Sequence, residues 1–386
     1  MIPGLLALVA LADVGSRFFS IEPLTFRAWE AVSRNRVPGA AFEPNRRYHR
    51  ERAYGDAAAM GNLRYLAQYH PETFTTDAYG FRNVGLGSRA PFGVILAGDS
   101  FAVGSGVSDD ETLSATLSAL VGCGVYNAAG MEFDPDRLRG LARKLDVRRG
   151  LILHEYAEDA DLPTVPSRRK LTINRMLTSA TEDAGRVVGR VRGFLLVSPL
   201  QILSERVFKR ISNDRVLPNA YASNVVKGSL QNGDAMLFLA SKVSNAHRRR
   251  DVSAAYWTWM QAELRKSDLD LLVVLIPSKY TVYRPFLIDQ PPLDVEAAGY
   301  LDRLEDQLRA VGVPVLNLTP ALTAQAARDV DAHKYLYRRD DIHWNGEGIR
   351  LAATAMLGDR MLAESACRER PAAIAAREPS AISHGH

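Results

Sequence analysis

Five short apolar runs recur along this chain with helix-length stretches between them: Phe92–Ala97 (FGVILA), Gly124–Ala128 (GVYNA), Gly150–Tyr156 (GLILHEY), Leu269–Ile276 (LDLLVVLI) and Val313–Leu318 (VPVLNL). A strand that is apolar throughout, rather than at alternate positions, must be covered on both faces. That is the condition of a parallel sheet between two helical layers. Helical spacing follows at Asp109–Leu120, Asp134–Leu145, Val252–Lys266, Leu293–Ala310 and from Gly346 to about Glu364. The fold class that follows is α/β: a three-layer α/β/α sandwich with a five-stranded parallel sheet, doubly wound and flavodoxin-like, strand order 2-1-3-4-5, plus a helical insertion.

The alternation is interrupted once and framed by irregular ends. Residues from about 160 to 250 are too many for an ordinary crossover and form an insertion, with a helical pattern at Gly193–Lys209 and a loop-rich piece at Asn213–Asn232. Residues 21–90 form an irregular leader packing on the domain, which runs from 91 to 364. Residues 365–386, rich in Arg, Ala, Pro, Ser and His, read as a disordered tail. Within residues 1–20, Ile2–Ala12 is an unbroken apolar run, too short for the ~20 residues that span a bilayer. It fits the apolar part of an export signal or anchor, with a small-x-small site at Ala10-Leu11-Ala12 and no preceding basic residue; the alternative is a short buried helix.

Composition narrows the function. Hydrophobic residues at 47% and charged residues at 24% exclude wholesale disorder, a collagen-like repeat and a polytopic membrane protein. The net charge of +4 comes from clusters such as Arg248-Arg249-Arg250 and Arg168-Arg169-Lys170, which lack aromatic interleaving and read as solvated faces, so no nucleic-acid partner is expected. Two distant cysteines, Cys123 and Cys367, give no disulfide framework and no clustered metal site.

The chemistry concentrates in two blocks. Gly98-Asp99-Ser100-Phe101 follows the first apolar run and precedes a glycine-rich turn, Gly104-Ser105-Gly106. At the carboxyl end of a parallel strand a serine sits where ligands bind, though Asp and Ser there also cap helices. It is neither a Gly-x-Ser-x-Gly elbow nor a phosphate loop. A serine nucleophile needs a base held by a carboxylate, and Asp340-Asp341-Ile342-His343-Trp344-Asn345, before the last helix, offers both. Alone, those aspartates would read as solvated loop charges; paired with Ser100 on one sheet edge they read as a triad. His154-Glu155 with Glu158 and Asp159 lacks the second histidine of a metalloprotease motif and reads as a strand-end polar cluster.

Together Gly98-Asp99-Ser100-Phe101, Gly104-x-Gly106-Val107, Tyr126-Asn127-Ala128-Ala129-Gly130 and the Asp-x-His-Trp-Asn-x-x-Gly of Asp341–Gly348 resemble the SGNH (GDSL) hydrolase superfamily. The leader block Asp77–Asn83 and Pro277–Tyr283 are similar to exported bacterial SGNH-like proteins of exopolysaccharide O-acetylation. The resemblance implies Ser100 as nucleophile, His343 as base, and Asp341 or Asp340 as its orienting carboxylate; Asp341 has the spacing found in polysaccharide-modifying members. It implies an oxyanion hole from the N–H groups of Ser100 and Gly130, and no cofactor or metal. The family's third donor, an asparagine after the third strand, is missing: this chain has Ala157-Glu158-Asp159. Either another donor substitutes, with Asn127 as the candidate, or the activity is weak or absent; Glu158, Lys279 and Tyr283 are candidate substrate contacts, and the alternative for Lys279 and Tyr283 is a loop that packs the insertion. The implied function is a serine esterase or O-acyltransferase acting on acyl, chiefly acetyl, esters of a carbohydrate. The expected partners are a carbohydrate or acylated small-molecule substrate and a membrane-bound acyl-donor protein. The expected location is exported, periplasmic or anchored to the inner membrane. The rivals are a non-catalytic SGNH-like carbohydrate-binding scaffold and a small-ester or lipid esterase.

Overall fold

The computed structural model describes residues 2–25, 27–61, 63–84, 91–131, 133–167, 182–212, 224–289 and 297–365. Nine strands are present among them: β1 Arg47–Ala53, β2 His70–Thr75, β3 Phe92–Ala97, β4 Gly124–Asn127, β5 Gly150–Ala157, β6 Val225–Ser229, β7 Ala235–Leu239, β8 Leu269–Ile276 and β9 Val315–Asn317. Five of them form one parallel sheet in the order β4-β3-β5-β8-β9. Counted along the chain this is 2-1-3-4-5, so the expected doubly wound plan is borne out. Every residue of β3, β4 and β5 is buried, because helices cover both faces, and each buried Val, Leu or Ile there contributes roughly 1.5–3 kcal/mol.

The helices used below are α1 Ile2–Ser16, α2 Asp56–Met60, α3 Ser100–Val103, α4 Leu113–Val121, α5 Pro135–Lys144, α6 Glu182–Leu196, α7 Pro199–Ser212, α8 Ala255–Arg265, α9 Lys279–Tyr283, α10 Tyr300–Ala310, α11 Thr319–Asp329 and α12 Gly346–Leu357. Their starts follow from local chemistry. Asp134 caps α5 by accepting from the Asp136 and Arg137 N–H groups, with Pro135 at the first position, and Asn345 caps α12 through the Gly348 N–H. Helix α4 begins at Leu113 because Thr112 caps it, leaving Asp109–Glu111 as a separate 3₁₀ turn. Helices α4 and α12 pack on each other, as do α5 and α8, and α8 lies on β8. The order turns back between β3 and β5. A crevice therefore opens at their carboxyl ends, and α3 starts there.

Several expectations need correction. The leader carries a two-stranded antiparallel ladder, β1 with β2. In the insertion, helix breaks into α6 and α7 at Val197-Ser198, since Pro199 lacks the N–H a continuous helix would use. The loop-rich piece ends in an antiparallel pair, β6 with β7; residues 213–223, the tail from 366 onward and Arg168–Lys170 lie outside the described residues. Arg250 is not merely solvated: it donates to the Glu158 and Ala160 carbonyls and lies 4.0 Å over the Tyr300 ring. Helix α1 exposes Leu5, Leu8, Val9, Leu11 and Val14, so it is no buried helix. Cys123 is disulfide-bonded, where the sequence led to the expectation of no disulfide framework.

Candidate active site

The nucleophile side is built from a strand end. Gly98 follows β3, and a Cβ there would sit 2.4 Å from the Glu155 carboxylate, so only glycine fits. The Asp99 side chain accepts from the Phe101 N–H and caps α3, which presents Ser100 at its first position. Beneath it, the Asp99 N–H donates to Glu155 Oε2 at 2.9 Å. Burial, then the neighbouring Asp99 carboxylate, pushes the Glu155 carboxyl well above its ordinary range. After α3 the Gly104–Val107 turn is clamped by Arg82, which is buried. Its guanidinium pairs with Asp109 at 3.1 Å and donates to the Val103, Gly104 and Val107 carbonyls.

The base side is a loop with little regular structure, closed by a single antiparallel bridge between Tyr337 and Trp344. It brings His343 Nε2 to 2.8 Å from Ser100 Oγ, and His343 Nδ1 to 2.8 Å from Asp341 Oδ1. Phe101 stands edge-on to both His343 and Trp344. Asp341 Oδ1 also accepts from the Ile342 and His343 N–H groups, and Oδ2 from the Asp56 N–H. Burial alone would raise the Asp341 carboxyl; the imidazole and these donors outweigh it and hold the group well below the usual carboxylate range. Burial would likewise lower His343, but Asp341 outweighs that and raises it above its ordinary value. An anionic Asp341 thus fixes the proton on Nδ1 and leaves Nε2 to accept from Ser100.

Asp340 points the other way. It is fully buried, and its Oδ2 accepts from the Gly55 N–H at 2.8 Å and the Gln68 N–H at 2.7 Å, tying the leader to the loop. The structure therefore corrects the pairing of Asp340 with His343 and the reading of either aspartate as a solvated charge. Gly55 is required at that contact, since a Cβ would meet the Asp340 carbonyl oxygen at 2.2 Å.

The remaining predicted site residues are placed differently from expectation. The Ser100 N–H begins α3 and has no intrahelical acceptor, but the Gly130 N–H donates to the Gly98 carbonyl at 2.9 Å. Asn127 is buried, its amide donating to the Ala102 carbonyl and accepting from the Ala129 N–H, so it is no free oxyanion donor. Glu158 accepts from the Ser278 N–H and the Thr281 hydroxyl at the start of α9. Tyr283 is buried, its hydroxyl accepting from the Leu336 N–H. Lys279 is buried, and its Nζ donates at 2.7–3.0 Å to the carbonyls of Leu237, Arg338, Arg339 and Asp341. Lys279 and Tyr283 thus support the base loop and, through Leu237, the insertion, while Glu158 holds the start of α9. Burial pushes the Lys279 ammonium down to about 7, eased by Asp341 and Asp340. His154 stacks on Phe133 and accepts from Trp257 Nε1, and burial drives its pKa down to about 3, so it is a neutral core residue.

Sequence reasoning missed Asp56, at the start of α2. Its carboxylate, an Asp341 oxygen and a His343 nitrogen lie within 4.8 Å of one another. Arg27 pairs with it at 3.1 Å. Burial, then Asp341, pushes Asp56 up to about 6. This trio is the one candidate cation cluster among the described residues. Four N–H donors already engage Asp341, so the cluster reads as support for the base rather than a ligand set. Nothing in the leader's spacing marks Asp56, whose neighbours in space are far away in sequence.

A parallel sheet of this order, with a serine, a histidine and an aspartate gathered at its switch point, is the arrangement that the resemblance to the SGNH hydrolase superfamily implied. Residues 233–381 match the family model of the SGNH hydrolase-like domain of acetyltransferase AlgX, which bears out the resemblance to SGNH-like exopolysaccharide O-acetylation proteins. The match includes the Asp341 and His343 block and leaves out Ser100. At family level this supports acetyl esterase or acyltransferase chemistry. No curated protein matches the chain. One solved crystal structure aligns with 69% of this chain and 94% of its own at 13% identity, with a TM-score of 0.31.

Proposed function

We propose that this protein removes or transfers an acyl group, acetyl first among them, at a carbohydrate hydroxyl through an acyl-Ser100 intermediate. The observation that carries the reading is the unbroken relay from Ser100 Oγ through His343 to Asp341, both links at 2.8 Å. Ser100 Oγ attacks the ester carbonyl as its proton passes to His343 Nε2. The C–O bond to the leaving alcohol then breaks, and the alcohol takes that proton. Water or a sugar hydroxyl, deprotonated by the same nitrogen, resolves the acyl-serine. Hydrolysis and transfer differ only in that last nucleophile. The Ser100 N–H, at the first position of α3, is the proposed oxyanion donor. The substrate is a carbohydrate ester or an acylated small molecule, with a membrane-bound protein as acyl donor.

The exposed apolar α1 and the disulfide at Cys123 support an exported protein, periplasmic or held at the inner membrane, since disulfides persist in oxidising compartments. One observation favours the rival reading of a non-catalytic scaffold: Gly130 and Asn127 are committed to backbone partners. Labelling with a fluorophosphonate separates the two. An enzyme gives an adduct on Ser100 that Ser100→Ala abolishes, together with acetate release from a model ester. Absence of both from folded protein would overturn the enzymatic reading.

A further inference from the structure

Outside the triad, exposed apolar side chains gather on α1, α6 and α7. On α6 the 3.6-residue period puts Val187, Val188, Val191 and Leu195 on one face, and these are 60%, 51%, 51% and 62% exposed. Gly185, Gly189 and Gly193 form the opposite face. Cβ atoms at Gly189 and Gly193 would lie 2.8 and 2.5 Å from the carbonyl oxygens of Arg36 and Arg34. The helix therefore rests directly on the leader backbone and is fixed with its valine face outward. Arg190 and Arg192, both exposed, stand at the two borders of that face.

Helix α1 joins α6 at its carboxyl end. Phe18 packs edge-on against Phe194, the Arg17 guanidinium donates to the Phe194 and Leu195 carbonyls, and the Ser198 hydroxyl bonds Asp13. Helix α7, which packs on α1, exposes Leu203, Val207 and Phe208. As far as Ala12 helix α1 is apolar all round, so a protein partner covering one side would leave the others wet; hydrocarbon satisfies them all. Its 15 residues rise only about 22 Å, short of the ~30 Å of a bilayer core. The α6–α7 pair bends by 42° at its break.

We infer that α1 and the outer face of α6–α7 form one platform that lies in the surface of a phospholipid bilayer, with Arg190 and Arg192 at the level of anionic headgroups. An apolar face bordered by arginines is the pattern of an in-plane helix. The inference deepens the localisation proposed above and gives the insertion a role, that of a second membrane contact beside α1.

The test is cosedimentation of the full-length protein with vesicles of phosphatidylcholine, alone or mixed with phosphatidylglycerol. The wild type should pellet with the mixed vesicles, and its partitioning should fall about tenfold without the anionic lipid. The pair Val187→Asp and Val191→Asp, at exposed positions, should cut partitioning by about tenfold or more with an unchanged melting temperature. Wild-type binding by that variant would overturn the inference, leaving α1 to act alone. So would failure of the wild type to pellet, combined with a dimer in light scattering that the same substitutions dissolve. Fluorophosphonate labelling of Ser100 should be equal in wild type and variant, so failure here is distinguishable from failure of the enzymatic reading.

Discussion

The nucleophile turn, residues 98–107, and the base loop, residues 336–345, meet within one hydrogen bond, yet they are held in opposite ways. The turn takes its shape chiefly from its own sequence, a buried strand end, an aspartate cap on α3 and glycines at +82° and +80° in φ for Gly104 and Gly106, with Arg82 of the leader clamping its carbonyls from outside. The base loop has one bridge of its own and borrows its shape from elsewhere: Lys279 from behind, the leader through Asp340, and Arg338 Nε donating to the Gly106 carbonyl across the gap. A reactive pair of this kind has a partner built mainly from contiguous residues and one that depends on distant ones. Damage to the dependent one can come from residues that never touch substrate.

The largest effect tests the meeting point itself. Ser100→Ala and His343→Ala should each lower kcat/KM for a model acetyl ester by about 10⁴-fold or more, and the double variant should lose little beyond either, because triad members act as a unit. Steady-state kinetics on protein with an unchanged melting temperature checks it; additive losses would mean that the two act separately.

Asp341→Asn comes next, with a loss of about 10⁴-fold, since an asparagine favours the wrong imidazole tautomer. The pH profile sharpens this. His343 must be neutral to accept from Ser100, and its pKa is raised because Asp341 outweighs the lowering effect of burial. Activity should therefore rise with pH through that raised value in the wild type, and the acid limb of kcat/KM should move to lower pH in Asp341→Asn. A limb that stays put would detach Asp341 from the base.

The contrast between the two regions also separates what the sequence disclosed from what it hid. Continuous apolar runs such as Leu269–Ile276 announce a doubly covered strand because burial of both faces is a local property of composition. Ser100 was visible because its strand, cap and glycine turn are contiguous. The base loop was half legible: Asp341 and His343 lie two positions apart and must meet, whereas the partners of Asp340 lie in the leader, more than 270 positions away. Lys279 and Tyr283 look like substrate contacts in sequence because a lysine and a tyrosine after a strand are usually exposed. Only the fold shows that β7 and the base loop close over them. Helix α11 was missed because its apolar positions are sparse, with Leu322 and Ala326 alone buried.

Lys279→Met should show how far the base loop depends on its borrowed support. The variant keeps the stem but strands buried carbonyls, at a cost of about 3 kcal/mol. Loosening the loop should lower kcat on the remaining folded protein by roughly 100-fold with little change in KM, because the base shifts out of line with Ser100. Chemical denaturation and steady-state kinetics read the two effects separately. A variant as stable and active as the wild type would mean that the four carbonyls find other donors and that the loop holds itself.

The smallest effect is expected at Asp340, beside the most sensitive residue in the chain. Its Oδ2 accepts two backbone N–H groups while Oδ1 is buried without a hydrogen-bond partner, and burial, eased by those two donors, raises its pKa above the ordinary carboxylate value. A raised pKa means that folding favours the protonated form. The associated stability is present below the unfolded pKa of 3.8 and is lost as pH rises through the folded value. Asparagine resembles that neutral form and still offers one oxygen to Gly55 and Gln68. Asp340→Asn should therefore match the wild type in stability at pH 4 and equal or exceed it at pH 7, with kcat/KM changed by no more than about threefold. Asp340→Ala removes the acceptor, leaves both N–H groups buried and unpaired, and should cost about 2–4 kcal/mol. Denaturant midpoints for the three proteins at the two pH values decide it. If Asp340→Asn lost stability on going from pH 4 to pH 7 as the wild type does, the Asp340 carboxyl would not be the group whose titration sets that loss.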